Sequence, residues 1–196
     1  MVETARLEAK GRREDFSSGS LFETAALNTL RVRLAEPWPG WNGDPIDPWR
    51  VHSWTATTSA LSSSGNHPYR DWLSSEVDLS RTTADPASWL QFWFYDVEAK
   101  NMPRFWLRWA FEHLQGFRKV TDGTPCDAQL ATYLPEADLA ISADKAFISI
   151  ANRCCPFAPC RLAHAELIPG GKEGVQSLLK LLNSPLRRLT GLPGSS

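Results

Sequence analysis

The sequence lacks the features that would mark a membrane, secreted or strongly basic protein. No apolar run approaches the roughly 20 residues that a helix needs to span a bilayer. The N-terminal stretch MVETARLEAKGRRED has no apolar core of the kind found in signal peptides. Charge is nearly balanced, with 21 basic and 22 acidic residues, so no general attraction to nucleic acid is expected. We therefore predict a cytoplasmic protein without membrane contact, in which nucleic-acid binding requires a local basic patch.

Several common catalytic and metal-binding motifs are also missing. The sequence contains no P-loop, no dinucleotide-binding fingerprint and no Ser-His-Asp arrangement, and its four histidines are scattered. Three of the four cysteines lie in CCPFAPC (154–160), but the paired CxxC knuckles typical of zinc sites are absent. Small buried thiols are therefore a better interpretation than a zinc site completed by His164.

Tryptophan, in contrast, is abundant. The chain has nine, all between positions 38 and 109. Trp89 and Trp93 are four residues apart, and Trp106 and Trp109 are three apart, so each pair lies on one face of a predicted helix. Such spacing is typical of a protein core. A base-stacking surface is the alternative, and it would require exposed rings beside arginines.

The composition divides the chain into three regions. Residues 1–20 form a polar arm, 21–183 a single domain, and 184–196 a loose tail. Within the domain, 37–84 is rich in proline, glycine and serine, which predicts an irregular segment with one short helix around 50–61.

From residue 85 onward, helical and strand patterns alternate. Asp85-Pro86 and Thr124-Pro125 both resemble a capping residue followed by proline in the first helical turn. The predicted order is helix 85–100, helix 103–115, strand 117–121, helix 126–134, strand 138–142, helix 144–153, strand 158–164 and helix 171–183. This alternation favours an α/β domain with a parallel sheet.

Two aspartates occupy corresponding ends of one helix–strand unit. Asp127 lies in the first turn of a predicted helix, and Asp144 follows the buried strand that comes next. Because ligands collect at the carboxyl ends of parallel strands, both carboxylates can face one cavity. Converging carboxylates favour a hard cation such as Mg²⁺ or Mn²⁺. The alternative is two ordinary aspartates, one favoured by the helix dipole and one in a turn.

The segment DAQLATYLPEADLAISADKAF (127–147) resembles the C-terminal signature of PIN-domain ribonucleases. In that family an aspartate opens a helix, a buried strand follows, and a turn with a second aspartate precedes a helix containing phenylalanine. Asp127 and Asp144 match the two acids, and Phe147 matches the residue that packs behind the second. The resemblance implies a three-layer fold in which helices flank a small parallel sheet, here with a helix-rich, tryptophan-containing middle segment.

The family also places acids nearer the N-terminus, and LFETAALNTL (21–30) offers Glu23. This segment matches the opening strand motif if glutamate replaces aspartate, which gives a complete domain. It also matches the helix that carries a mid-chain glutamate, in which case the first strand is missing and the N-terminus is truncated. Asp122 is a candidate outer-shell acid, and Asp138 is interpreted as a loop residue.

The resemblance implies metal-dependent cleavage of RNA. Asp127, Asp144 and Glu23 would be the catalytic acids and would hold Mg²⁺ or Mn²⁺, with Asp122 as a further metal ligand. Basic side chains near these acids would contact RNA, although a solvated surface explains them equally well. These candidates are Arg104, Arg108, Arg118, Lys119 and Lys145.

The implied partners are RNA, an antitoxin protein if this is the toxin of a toxin–antitoxin pair, and a second copy of the chain in a homodimer. Two other functions remain open. One is a catalytically degenerate or truncated PIN-like protein that binds RNA or protein. The other is an unrelated α/β protein whose tryptophan-rich helices form an interaction surface.

Overall fold

The computed structural model describes residues 46–62, 68–115 and 124–183. These residues form eight α-helices and two strands. They are α1 (Pro48–Ser62), α2 (Pro68–Ser74), α3 (Leu79–Thr82), α4 (Pro86–Gln91), α5 (Pro103–Gln115), α6 (Thr124–Ala131), β1 (Leu139–Ser142), α7 (Lys145–Cys154), β2 (His164–Leu167) and α8 (Gly171–Asn183). A π-helical turn (Phe92–Asp96) continues α4, and 3₁₀ turns cover Ala99–Asn101, Leu134–Glu136 and Cys155–Phe157.

Helix α5 lies at the centre of the packing. It contacts α1, α6 and α7. Eight of its thirteen residues are buried, including Leu107, Ala110, Phe111 and Leu114, which have no exposed surface. A helix that is apolar over most of its circumference is stable only when it is surrounded by other elements, so α5 is the core around which the neighbouring helices assemble.

Aromatic side chains fill the space between α1, α4 and α5. Trp93 is fully buried, and its ring lies 5.8 Å from that of Trp89 and 5.2 Å from that of Phe105 in edge-on or tilted arrangements. Trp106 and Trp109 are also buried and contact each other at 5.9 Å. The spacing therefore correctly predicted that both tryptophan pairs belong to the core.

The strands form a parallel pair joined by α7. Leu139 of β1 aligns with His164 of β2, and Ser142 aligns with Leu167. Helix α7 packs against both strands and buries Phe147, Ile148, Ile150 and Ala151. A crossover helix of this kind is what two adjacent parallel strands require.

Several predicted bounds are wrong. The helix predicted over 85–100 ends at Gln91 and continues only as the π-helical turn to Asp96, and the helix predicted over 126–134 ends at Ala131. The segment 37–84 is not irregular throughout, because α1, α2 and α3 lie within it. The last strand begins at His164 and not at residue 158. The backbone N–H of Ala163 donates to Leu134 O (2.8 Å), outside β1, so pairing with β1 starts only afterwards. The predicted strand 117–121, the arm 1–20 and the tail 184–196 lie outside the described residues.

The fold is mixed α/β, mostly helical, with a small two-stranded parallel sheet in its described part. None of the described helices combines the length and the apolar character needed to cross a membrane.

Candidate functional site

Asp144 lies immediately beyond the carboxyl end of β1, where it caps α7. Its Oδ1 accepts hydrogen bonds from the backbone N–H groups of Ala146 (2.6 Å) and Phe147 (3.2 Å). Its own N–H donates to Ser142 Oγ at 3.0 Å. This is the geometry of an N-cap, which satisfies amides that the first turn of the helix leaves unpaired. Asp144 Oδ2 accepts no hydrogen bond from the described residues, so one carboxylate oxygen remains open to a cation.

Asp127 lies in the first turn of α6 and is half-buried. The side-chain amide of Gln115, at the end of α5, donates to Asp127 Oδ2 across 3.4 Å. Gln115 itself is buried. The buried amide of Gln115 restricts the orientation of the Asp127 carboxylate. A metal ligand or a catalytic base requires such a fixed orientation.

Both aspartates belong to segments that pack on the same end of α5. Asp127 is held by Gln115, and Asp144 caps the helix whose Phe147 ring lies 5.4 Å from the Phe111 ring. Phe111 and Gln115 are four residues apart, so they follow one another on one face of α5. The C-terminal half of α5 is therefore the common support for both predicted acids.

The other predicted acids cannot be placed. Glu23 and Asp122 lie outside the described residues. Among residues 46–62, 68–115 and 124–183, no three histidine, cysteine, aspartate or glutamate side chains come together as a metal site would require. A metal ion held by Asp127 or Asp144 would therefore have the rest of its coordination shell filled by water, by backbone oxygens or by residues outside these ranges.

The predicted RNA-binding residues have differing surroundings. Arg104 binds Glu136 through its Nε at 3.0 Å and through a second guanidinium nitrogen. Arg108 binds Glu112 (Nε to Oε1, 2.8 Å) and Gln129. Lys145 is exposed beside Asp144, whereas Arg118 and Lys119 lie outside the described residues.

A polar network that the sequence analysis missed connects α1, α5 and α6. His52 Nε2 lies 2.7 Å from Glu112 Oε2, and Arg108 joins the other oxygen of Glu112 to the side chain of Gln129. The i,i+4 spacing of Arg108 and Glu112 predicts an ion pair on one helix face. The contact of Glu112 with His52 joins residues 60 positions apart, so no local pattern predicts it. Burial raises the pKa of Glu112, but the hydrogen bond and charge of His52 and the charge of Arg108 outweigh this and lower it.

Glu112→Gln tests the contribution of this network as a function of pH. A lowered pKa in the folded state stabilises the fold above the unfolded-state pKa, and this contribution is lost as pH falls through the folded-state pKa. Because the carboxylate is partly exposed, we expect a loss of only about 0.5–1 kcal/mol at pH 7, shrinking toward zero below about pH 4. Urea unfolding of the native chain and of Glu112→Gln between pH 3 and 7 measures the difference in their free energies of unfolding.

Glu76→Gln is the matched control, because Glu76 is exposed in the turn after α2 and its carboxylate has no ion-pair partner among the described residues. It should change the free energy of unfolding little at any pH. A cost of Glu112→Gln that stayed constant from pH 7 to pH 3 would contradict the electrostatic role.

The cysteines match their prediction only in part. Cys154 is fully buried, and burial, aided by the neighbouring Cys155, raises the pKa of its thiol to about 12. Cys126 and Cys155 are exposed, and Cys160 is half-buried. All four are free thiols, so the expectation of buried thiols holds for Cys154 alone.

No family model, no curated protein and no solved structure matches this chain.

Proposed function

We propose that this protein is a metal-dependent endoribonuclease of PIN-like type. The observation that carries the proposal is the β1–α7–β2 unit, in which Asp144 follows the carboxyl end of a parallel strand and keeps one oxygen open. The packing of Asp127 and of the Asp144-capped helix on one end of α5 supports the same site. Ligands in sheets of this kind collect at the carboxyl ends of the strands.

Asp127, Asp144 and Glu23 would hold Mg²⁺ or Mn²⁺ in this proposal, with Asp122 as a further ligand. When bound, such an ion would supply an acidified water and charge neutralisation at the scissile phosphate. Exposed Lys145 beside Asp144 is the basic residue best placed to contact the RNA backbone. A cytoplasmic toxin with an antitoxin partner is the corresponding biological role.

The test is cleavage of single-stranded RNA in the presence of Mn²⁺ by the native chain, Asp127→Asn and Asp144→Asn. Each substitution removes one negative charge from the proposed metal site and is expected to lower the cleavage rate by about 100-fold. Asparagine is as good an N-cap as aspartate, so Asp144→Asn should keep α7 intact. Thermal melting of each variant verifies that the fold is retained.

Asp138→Asn is the matched control, since Asp138 is exposed and paired with Arg161 (2.7 Å) close to the same strand. It should cleave at the native rate. Equal rates in all four proteins, or no cleavage with either Mg²⁺ or Mn²⁺, would refute the enzymatic proposal.

A binding module without catalysis is the second candidate function. It is favoured by the structural roles of the two aspartates, because Asp144 caps α7 and Asp127 accepts a hydrogen bond from Gln115. In that case RNA or protein binding would persist without cleavage, and Asp127→Asn and Asp144→Asn would leave the affinity unchanged. Fluorescence anisotropy with labelled RNA, measured beside the cleavage assay, distinguishes the two functions.

A further inference from the structure

A cleft of about 670 Å³ opens between α2, the π-helical turn and the start of α5. Its volume is within the range of small-molecule sites, which is about 300–1,000 Å³. The residues that decide its chemistry are Trp72, Glu76, Phe92, Asp96, Lys100 and Arg104. Neither Asp127 nor Asp144 lines this cleft.

The apolar wall of the cleft consists of half-buried aromatic rings. Trp72 packs edge-on against the buried Phe105 ring, with ring centres 6.3 Å apart, and Phe92 also lines the cleft. The guanidinium of Arg104 lies 6.0 Å from the centre of the Trp72 ring, so this wall already accommodates one cation–π contact. The wall therefore suits the apolar body of a ligand and tolerates a neighbouring cation.

The π-helical turn contributes to the shape of the cleft. It replaces the expected continuation of α4 and is closed by the bond from Val97 N–H to Phe92 O at 3.0 Å. Phe92 and Asp96, its first and last residues, both line the cleft. Single π-helical turns occur frequently at functional sites. The extra residue makes the helix bulge and so changes the surface that lines the cleft.

Both cations of the cleft already have acidic partners. Arg104 is bound to Glu136, and Lys100 Nζ lies 2.5 Å from Glu98 Oε2. The positive charge of these side chains is therefore largely neutralised, which disfavours an anionic ligand.

Two carboxylates of the cleft, in contrast, have no cationic partner among the described residues. Asp96 accepts a hydrogen bond only from the neutral amide of Gln91 at 2.9 Å. The carboxylate of Glu76 takes part in no hydrogen bond or ion pair within the described part of the chain. Both side chains are exposed. The cleft thus combines aromatic surface with uncompensated negative charge.

We propose that this cleft binds an organic cation, an ammonium or guanidinium group carried on an apolar body. The cationic group pairs with Asp96 and Glu76, and the body packs against Trp72 and Phe92. Such a group occurs in free amines and in the lysine and arginine side chains of peptides. The proposal is independent of the nuclease activity, because none of these residues belongs to that site.

Isothermal titration calorimetry of the full chain tests the proposal with three matched probes. Phenethylammonium carries the cation, 2-phenylethanol is its neutral counterpart, and 3-phenylpropionate is its anionic counterpart. We expect the cation to bind at least tenfold more tightly than either counterpart. A blocked Gly-Arg-Gly peptide, titrated in parallel, distinguishes a peptide side chain from a free amine as the source of the cation.

Two isosteric variants locate the binding site. Glu76→Gln and Asp96→Asn should each weaken phenethylammonium binding about threefold, since partly exposed ion pairs contribute modestly. Added salt should weaken the native binding as well. Glu173→Gln removes the same charge outside the cleft and should bind as the native chain does. Melting curves of the three variants verify folding.

Three results would overturn the proposal. The first is no binding heat with phenethylammonium or the arginine peptide at millimolar concentrations. The second is equal or tighter binding of the alcohol or the carboxylate. The third is native affinity in the double variant Glu76→Gln/Asp96→Asn, which would show that the cation binds elsewhere.

Discussion

Trp93→Ala is expected to lower the free energy of unfolding by about 3–5 kcal/mol, the usual cost of deleting a large aromatic ring from a core. Trp93 has no exposed surface. Its ring lies within 6.4 Å of four others, those of Trp49, Trp89, Phe92 and Phe105. No neighbour can fill the space without leaving its own contacts. Against a total stability of about 5–15 kcal/mol, such a loss leaves the fold marginal.

Trp93→Phe separates the packing of this ring from its polar group. The indole Nε1 of Trp93 is buried and has no hydrogen-bond partner among the described residues. An unpaired buried donor lowers the free energy of unfolding by about 1–3 kcal/mol. Removing the indole N–H therefore offsets part of the packing energy that is lost with the smaller phenyl ring. We therefore expect Trp93→Phe to cost only about 1 kcal/mol, far less than alanine.

Trp89→Phe is the matched control for the polar group. Trp89 is buried one turn earlier, but its Nε1 donates to Thr58 Oγ1 at 2.9 Å. The same substitution there removes a satisfied hydrogen bond instead of an unpaired donor, so it should cost more than Trp93→Phe. Buried area alone predicts the opposite order, because Trp93 is the more buried of the two.

Urea denaturation followed by circular dichroism at 222 nm measures all three variants. Tryptophan fluorescence is unsuitable because the substitutions change its source. If Trp93→Phe proved as destabilising as Trp89→Phe, the Nε1 of Trp93 would not be a cost to the folded state.

Local signals explain why the helices after residue 85 were largely predictable. Asp85 followed by Pro86 indicated α4, and its carboxylate caps that helix by accepting from Ser88 N–H at 2.8 Å. The bounds of α5 were also predicted, because Pro103 is typical of a first helical turn and Gly116 in the sequence is typical of a helix end. These signals involve residues within one turn of each other, so sequence alone contains them.

Proline misled the interpretation of the segment 37–84. A proline-rich composition predicts irregular structure, but Pro48 and Pro68 are the first residues of α1 and α2. At that position a helix needs no N–H donor, and the fixed φ of proline suits helical backbone. The same residue that breaks a helix interior therefore begins one here, as Pro86 and Pro103 do later in the chain.

The candidate site was less predictable because its contacts are distant in sequence. The positions of Asp127 and Asp144 at element ends could be inferred from local pattern. The support of Asp127 by Gln115 and the pairing of His52 with Glu112 depend on how α5 packs against α6 and α1. Local pattern also did not distinguish a free carboxylate from the N-cap that Asp144 forms.

Phe111→Ala is expected to lower the free energy of unfolding by about 3–5 kcal/mol. Phe111 is fully buried in α5, and its ring contacts Phe147 in the first turn of α7 at 5.4 Å. This contact links the central helix to the β1–α7–β2 unit, so the cavity would open between the two parts of the core. Urea unfolding measures the loss, and Phe157→Ala is the control because its ring is 51% exposed. The control should cost clearly less, about 1 kcal/mol, because half of its ring is already in water.

A double-mutant cycle determines whether Phe111 and Phe147 act as a pair. Phe111→Leu, Phe147→Leu and the double variant keep most of the apolar volume but remove the ring contact. If the rings stabilise each other, the double variant should lose about 0.5–1.5 kcal/mol less than the sum of the single variants. Strict additivity would mean that α5 and α7 are joined by burial alone. Because Phe147 lies in the turn that Asp144 caps, a coupled pair would also fix the position of that carboxylate relative to Gln115 and Asp127. Under the proposed nuclease function, loss of the coupling should then weaken cleavage in the presence of Mn²⁺ more than Phe157→Ala does.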